Sequence, residues 1–355
     1  MLLLPDRAKL TPPSLMRLAT GAAESDVAGA KSHQETVSVP EGVSVVIPTQ
    51  RRPDGLARAA RSVFRQRGVG RACLELVIVD NDEAPSAAPV AASLRAEAPF
   101  PVVYAHEPAP GVANARNAGV TAARGALIAF LDDDEEASEG WLAALIEAQA
   151  RFDADAVFGP VQARTPDDVG PHRSYLEAFF SRVGPAEAGV VAQAYGCGDS
   201  LVRRAALPDP TRPFNPARNE TGGEDNLLFE AMRSRGARFA WAPGALVFED
   251  PAPARLTLGY TFARAFAYGQ GASCRCATAD PPRWGGVLRW MAIGLAQALV
   301  YGLAAAAAWM LRAPDRAFVV DRAVRGLGKV LFGGPFKIRF YGRRAAEAPG
   351  QMPVG

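Results

Sequence analysis

The chain has 355 residues, 49% of them hydrophobic and 21% charged, enough apolar side chain to bury a full core in one large domain or in one domain with an appendage. Its 39 Lys and Arg against 37 Asp and Glu leave a formal net charge of +2, so composition supplies no basic face and no nucleic-acid partner is expected. Cys73, Cys197, Cys274 and Cys276 form no C-x-x-C pair and no local zinc spacing with histidine, which favours unpaired thiols in a reducing compartment over a disulfide scaffold.

Residues 1–40 are rich in Ala, Ser, Thr, Pro and charge without periodicity, and a mobile leader is expected there. Its opening, MLLLPDRAKL, has too short an apolar run for a signal peptide, so catalysis is expected on the cytoplasmic side. Three β-branched or aromatic-rich runs then read as buried strands: VSVVI at 43–47, LELVIV at 74–79 and ALIAFL at 126–131. Helical stretches separate them. The stretch 55–66 sets Leu56, Ala59, Ala60, Val63 and Phe64 on one face, and 112–124 is Ala-rich. Strands alternating with helices predict a parallel sheet with crossover helices, whose ligands bind beyond the carboxyl ends of the strands. A helix over 141–152, a strand over 156–160, a helix around 226–232 and strands near 239–241 and 245–248 complete the pattern. The stretch 161–220 is loop-rich.

The three carboxyl ends carry Pro48-Thr49-Gln50-Arg51-Arg52-Pro53, Asp80-Asn81-Asp82-Glu83 and Asp132-Asp133-Asp134-Glu135-Glu136. Five adjacent carboxylates repel one another, and a hard divalent ion relieves that repulsion. In an extended turn Asp132 and Asp134 would point to one side, holding an ion that also grips a diphosphate, while Asp133 points away. A solvated acidic turn is the competing reading. Asp80 can accept hydrogen bonds from a base or ribose, or can cap a helix. In Gly111-Val112-Ala113-Asn114-Ala115-Arg116-Asn117, Arg116 and Asn117 are placed to reach a phosphate or the acidic loop, or the small residues serve packing alone. Thr221-Gly222-Gly223-Glu224-Asp225 offers a carboxylate base for an acceptor hydroxyl, or N-terminal helix capping.

Together VSVVIPT at 43–49, LVIVDND at 76–82, GVANARNAG at 111–119, ALIAFLDDDEEASEGWL at 126–142 and GGEDNLLFEAMRSRG at 222–236 resemble family 2 of the inverting glycosyltransferases. The resemblance covers about residues 43–265. It implies a GT-A fold: α/β, with a Rossmann-like, mostly parallel central sheet flanked by helices. QRRP at 50–53, DAVFGPV at 155–161 and PAPARLT at 251–257 are similar to bacterial exopolysaccharide glucosyltransferases of the succinoglycan type. That likeness implies a UDP-sugar donor, UDP-glucose in particular, and a lipid-diphosphate-linked oligosaccharide acceptor. Residue by residue it implies Pro48, Thr49 and Asp80 around the nucleoside. Arg51, Arg116, Asn117 and Asp133 become further nucleotide contacts. Asp132 and Asp134 become the D-x-D pair for Mn²⁺ or Mg²⁺, Asp225 the catalytic base with Glu224 beside it, and 196–204 an acceptor-side strand. No Q-x-x-R-W counterpart stands at 264–268, so one transfer per encounter is expected.

The segment 290–311 runs 22 residues without a charge, with tryptophans near both ends and basic residues on both sides. The basic tail includes Lys337, Arg339, Arg343 and Arg344. A re-entrant or surface-lying helix pair on anionic headgroups reconciles the apolar run with the basic flanks; a buried Ala-rich helix of a soluble protein is the alternative. The expected division is thus a leader over 1–40, a transferase domain over 41–270 and a membrane-associating helical region over 271–355, working at the cytoplasmic face of the inner membrane. A sugar-phosphate nucleotidyltransferase would want a glycine-rich basic loop after the first strand, and a dinucleotide oxidoreductase would want G-x-G-x-x-G there. A catalytically inactive nucleotide-sugar-binding relative would not need Asp80, Asp132, Asp134 and Asp225 together.

Overall fold

The computed structural model describes residues 42–219, 222–336 and 338. The leader expected over 1–40 lies outside the described residues, as do Thr221, Lys337, Arg339, Arg343 and Arg344.

The first half alternates strand and helix: β1 (Val43–Thr49), α1 (Pro53–Phe64), β2 (Leu74–Asp80), α2 (Ala88–Glu97), β3 (Val102–His106), α3 (Val112–Ala122) and β4 (Leu127–Phe130). β2 and β4 are buried along their whole length and β1 almost so, as continuous apolar strands covered on both faces must be. Pro53 sits in the first turn of α1, where its missing N–H is no loss, and Leu56, Ala59, Ala60 and Val63 form the buried face. The four strands pair in parallel in the order β3-β2-β1-β4, with Thr49 opposite Asp80 and Val46 opposite both Val77 and Phe130.

Beyond β4 the sheet is mixed. The second half adds β5 (Glu135–Ala137), α4 (Trp141–Phe152), β6 (Ala156–Phe158), β7 (Val161–Ala163), α5 (Arg173–Phe180), β8 (Gly189–Val191), β9 (Ser200–Arg203), α6 (Glu224–Ser234), β10 (Phe239–Trp241) and β11 (Val247–Glu249). β9 enters antiparallel between β4 and β6, β10 pairs with β6 in parallel, and β8 closes the edge antiparallel. The order of the eight strands is β3-β2-β1-β4-β9-β6-β10-β8. β9 and α5 come from the stretch read as loop-rich. A small second sheet, β5-β11-β7, takes the end of the acidic run into regular pairing, with Glu135 opposite Glu249. Glu135 and Glu136 therefore belong to a strand and not to the acidic loop expected there. Two cores result: α1, α2 and α4 cover one face of the main sheet, and α3 and α6 the other.

Three helices follow: α7 (Leu258–Ala277), α8 (Trp284–Met310) and α9 (Arg316–Val330). The division expected at 270/271 falls inside α7, which runs unbroken through it. α9 packs against both other helices through glycines. A Cβ on Gly326 would stand 2.7 Å from the Gly294 carbonyl oxygen of α8, and one on Gly328 would strike the Phe266 carbonyl of α7.

Candidate functional site

The acidic segment does not continue as an extended strand. The Glu135 N–H donates to the Asp132 carbonyl at 3.1 Å, closing a turn, so the alternation expected of extended chain is lost. As a correction, Asp133 is not the outward carboxylate: it is 7% exposed, accepting from Thr49 Oγ1 at 2.8 Å and from Arg52 Nη1 at 2.9 Å. The same Arg52 nitrogen reaches Asp134 Oδ2 at 2.9 Å, and Arg255 approaches that oxygen at 3.7 Å. Asp132 turns the other way, to Arg116 Nη2 at 3.1 Å. Asp133 and Asp134 share one guanidinium, and Asp132 pairs separately. Burial pushes Asp133 up to about 6 even though Arg52 pulls it down.

The tip of β2 is an internal network. Asp80 is fully buried and accepts from the Ala87 N–H at 2.7 Å and Tyr104 OH at 2.9 Å, which makes it the anchor of the loop entering α2. Asn81 donates to the Glu107 and Ala109 carbonyls and accepts from the Gly111 N–H, tying this tip to the start of α3. Arg51, at φ 56°, forms a forked pair with Asp82 at 2.8–3.0 Å. Pro48 is partly buried at the end of β1. Asn117 does not reach the acidic loop: its amide nitrogen donates to the Phe214 carbonyl at 2.8 Å and its oxygen accepts from the Phe214 N–H at 2.9 Å. A buried amide whose nitrogen and oxygen both pair with the backbone of Phe214 is a clamp for the 214 loop, and the expectation of a phosphate contact is corrected accordingly.

Arg116 occupies the centre. Its side chain is buried, and beside Asp132 it holds Glu224 through Nη1 at 2.6 Å. Glu224 opens α6 after Gly222 and Gly223, whose φ values of 71° and 84° lie where a side chain would be strained. Burial raises Glu224, with Arg116 opposing that rise. Asp225 is only partly buried and accepts from the N–H and side-chain amide of Asn226 at 2.7 and 3.2 Å.

The segment 196–198 runs between the two carboxylates. A Cβ on Gly196 would lie 3.5 Å from Asp225 Oδ2, and one on Gly198 would lie 2.6 Å from Asp132 Oδ2 and 3.1 Å from Glu135 Oε1. Arg182 holds this segment, donating to the Tyr195 carbonyl at 2.5 Å and the Gly198 carbonyl at 2.6 Å, and it stands 3.6 Å from Asp199. Asp199 is fully buried, accepts from Trp141 Nε1 at 2.7 Å, and is pushed up to about 7 by burial. Burial, with Asp132 alongside, also raises Glu135. Arg52, Arg182, Arg255 and Glu249 carry no role expected from the sequence, while Glu135 was expected only as part of the acidic run and Asp199 only as part of the 196–204 strand. Arg52 and Arg255 did stand in the quoted QRRP and PAPARLT stretches, which was the available signal.

The oxygen set can be tested against a divalent ion. Among the described residues no three His, Cys, Asp or Glu side chains converge as a metal cage. Asp132 is 35% exposed at its side chain and Asp134 17%, each with an arginine on one oxygen. Such a set fits a hard ion held by one or two carboxylates and completed by diphosphate oxygens, the usual manner of Mg²⁺. A cleft of about 590 Å³ borders Asp133, Asp134, Arg52, Arg58, Arg164 and Asp250, whereas Arg116, Asp132 and Asp225 lie outside its lining.

Comparison with known proteins agrees with this geometry. Residues 44–209 match the Glycosyl transferase family 2 domain. The chain is 34% identical over 228 residues to the succinoglycan biosynthesis protein ExoM of Rhizobium meliloti, covering 64% of this chain and 73% of that protein. It is 30% identical over 214 residues to the pre-mycofactocin glycosyltransferase of Mycobacterium tuberculosis, covering 59% of this chain but 42% of that one. Among solved structures, the mannosyltransferase PcManGT of Pyrobaculum calidifontis, in complex with GDP-Man and Mn²⁺, superposes with a TM-score of 0.55 at 18% identity, over 82% of this chain and 87% of that one. The mixed sheet with helices on both faces is accordingly the GT-A fold. With the acidic turn at the end of β4 and the acidic start of α6 held together by one arginine, and with a family match over residues 44–209 and a relative at 34% identity covered over 73% of its length, the chain belongs to glycosyl transferase family 2 and is a glycosyltransferase.

Proposed function

We propose that the chain is an inverting transferase that moves one sugar, glucose from UDP-glucose, onto a lipid-diphosphate-linked oligosaccharide during exopolysaccharide assembly. The reading is carried by Arg116, which spans from Asp132 to Glu224 and so draws the D-x-D turn and the start of α6 to one place. Succinoglycan biosynthesis is the role named for the ExoM relative, and the mannosyltransferase of the same fold is seen with a nucleotide sugar and Mn²⁺.

Of the two neighbouring acids, Glu224 is tied to Arg116, while Asp225 is partly exposed and faces the 196–198 segment. Asp225 therefore takes the acceptor proton. The acceptor oxygen forms its bond to the anomeric carbon on the face opposite the diphosphate, and the bond from that carbon to the phosphate oxygen breaks. Asp134 and Asp132 would hold a divalent ion, which would supply positive charge to offset that of the departing diphosphate. Arg116 fixes Asp132 for that task, and Pro48 and Thr49 border the nucleoside.

The region after 270 suits the inner face of the plasma membrane. On α8, Leu288, Leu295, Leu299, Leu303 and Met310 form one stripe, 53–79% exposed. Gln297 turns instead toward α9, donating to the Arg322 carbonyl at 2.7 Å and accepting from Lys329 at 2.8 Å. A helix with its polar atoms against a charged partner and its apolar stripe outward fits a lipid interface.

The test is a donor screen with the purified full chain, a membrane lipid extract and Mg²⁺ or Mn²⁺, reading nucleotide release. Lipid-stimulated release from UDP-glucose above other nucleotide sugars is expected. Preference for another donor would refute glucose, and no release from any donor would favour an inactive relative.

A further inference from the structure

Between the acidic turn after β4 and the start of α6 runs a short stretch of chain, residues 195–199, without helix or strand. Gly196 has a φ of 107° and the non-glycine Asp199 a φ of 53°, a left-handed setting that persists only where the surroundings enforce it. Among the described residues, no N–H of Gly196, Cys197 or Gly198 donates to another main-chain group. The stretch nevertheless lies in the middle of the charged site. Cys197 is 2% exposed, and burial raises its thiol, with Arg116 opposing the rise and Asp132 and Asp225 adding to it. The two glycines leave room for the same two acids. A Cβ would stand 3.5 Å from Asp225 Oδ2 at Gly196, and 2.6 Å from Asp132 Oδ2 at Gly198.

What fixes this arc comes from outside it. Arg182, 14% exposed at its side chain, gives one terminal nitrogen to each end, Nη1 to the Tyr195 carbonyl and Nη2 to the Gly198 carbonyl. A planar guanidinium sets the spacing of two acceptors, which a single ammonium does not. Arg182 is itself tied to β7 in both directions. Its N–H donates to the Val161 carbonyl at 2.8 Å, and its carbonyl accepts from the Val161 N–H at 3.1 Å. Its ion pair, by contrast, is left open. Asp199 Oδ2 stands 3.6 Å away, and that oxygen and Arg182 Nε are both buried without a hydrogen-bond partner among the described residues. A buried pair left open in this way contributes poorly to stability. The guanidinium serves the two carbonyls in preference to its own carboxylate.

The two acids differ in what else holds them. Asp132 has its own anchors, Arg116 on its side chain at 3.1 Å and Glu135 Oε2 on its N–H at 2.9 Å. Among the described residues the Asp225 carboxylate bonds only to Asn226 beside it. Movement of the arc therefore reaches Asp225 first. We propose that Arg182 is a positioning residue for transfer: by clamping the Tyr195 and Gly198 carbonyls it holds the arc against Asp225 and so sets where the base meets the acceptor hydroxyl. The inference rests on the roles given above to Asp225 and to a nucleotide-sugar donor. Alignment of this kind is steep, since a displacement of about 1 Å costs on the order of 10²-fold in rate.

The test compares the full parent chain with Arg182→Lys and Arg182→Gln, using Mg²⁺, a membrane lipid extract and the donor selected by the screen above, UDP-glucose being expected. Each variant loses the fork that spans both carbonyls. Turnover per nucleotide-binding site, counted by calorimetry, is expected to fall at least tenfold in each, with KM for the donor and nucleotide affinity within twofold of the parent. Cys197 supplies a reading that needs no turnover. Its alkylation by iodoacetamide, followed by peptide mass spectrometry with Cys73 as internal reference, is expected to quicken at least tenfold in both variants. A purely structural role would lower activity only through the fraction of chain that binds nucleotide, and parental turnover per site would overturn the proposal. Parental alkylation of Cys197 would do the same. So would loss of nucleotide binding in both variants, because Arg182 then belongs to the scaffold. Failure of the underlying reading shows elsewhere: near-normal turnover in Asp225→Asn strikes the base assignment even where the Arg182 variants are slow, and preference for another donor refutes glucose while the comparison stands.

Discussion

Arg116 on α3 and Glu224 at the start of α6 form an ion pair of 2.6 Å, with both side chains 7% exposed. The remaining terminal nitrogen holds Asp132, so one buried guanidinium fixes two carboxylates from distant stretches of the sequence, the turn after β4 and the start of α6. Removing one partner of a buried pair leaves an uncompensated charge and costs about 3–5 kcal/mol. Arg116→Ala is expected to lose stability on that scale in urea unfolding and to abolish transfer. Arg116→Lys has no planar fork to span both acids, and transfer is expected to stay at least tenfold down. Full activity in the lysine variant would show that the bridge is dispensable.

The two acids that open α6 are expected to behave differently. Asp225→Asn removes the group that accepts the proton and is expected to lower turnover by about 10²–10⁴-fold, with UDP binding intact. Glu224→Gln can keep a hydrogen bond to Arg116 and is expected to retain measurable turnover at reduced stability. Steady-state nucleotide release and calorimetric UDP affinity, measured on both variants, separate these outcomes. Near-normal turnover in Asp225→Asn would move the base elsewhere.

Much of this fold is legible in the sequence because its longest strands are buried on both faces and therefore uniformly apolar. The runs at 43–47 and 74–79 are of that kind, whereas the helix at 141–152 shows through the spacing of Trp141, Leu142, Leu145 and Ile146 on its buried face. β9 is four residues and β5 three, and their pairing is decided by distant strands, so neither carries a local pattern. The site divides in the same way. Asp132, Asp134, Glu224 and Asp225 stand in motifs that announce themselves. The turn that rotates Asp133 inward depends on the Thr49 hydroxyl and Arg52, contributed by another strand end, and no periodicity predicts it. Arg182 had no signal at all, since its partners Tyr195 and Gly198 are backbone carbonyls.

Asp134 shares Arg52 with Asp133 and also meets Arg255, so an incoming cation competes with two guanidiniums for its oxygens. Asp134→Ala is expected to remove the metal dependence of UDP binding. Arg52→Gln releases one competitor and is expected to tighten Mn²⁺ in the presence of UDP. Calorimetry with and without the ion reads both. Unchanged metal dependence in Asp134→Ala would sink the D-x-D assignment.

The stripe on α8 predicts attachment to lipid without damage to the transferase core. Leu299 and Leu303 are 60% and 77% exposed, so acidic replacements there leave the core untouched. Leu299→Asp with Leu303→Asp is expected to abolish flotation with vesicles containing anionic phospholipid, while UDP affinity is retained. Flotation equal to that of the parent would assign the stripe to some other partner.

Asp199 makes a prediction about pH whose sign is fixed by its burial. In the folded chain it is pushed up to about 7, and in the unfolded chain it titrates near the ordinary value of about 3.9. Between these values the folded state holds a proton that the unfolded state has released. Stability is therefore greatest below about pH 4 on this account, and falls by up to about 1.4 kcal/mol per unit as pH rises to about 7. Asp133, pushed up to about 6, and Glu249, pushed up to about 8, act with the same sign, so the parent is expected to lose stability progressively through neutrality. Around Asp199, Arg182 opposes the shift and Trp141 Nε1 donates to the oxygen that an amide would keep. Asp199→Asn thus removes one titration while preserving the Trp141 bond, and the decline in urea midpoint between pH 5 and pH 7 is expected to be shallower than in the parent. A variant with the parental slope would mean that Arg182 keeps Asp199 ionised throughout, and that the buried pair is a permanent strut for the 196–198 segment.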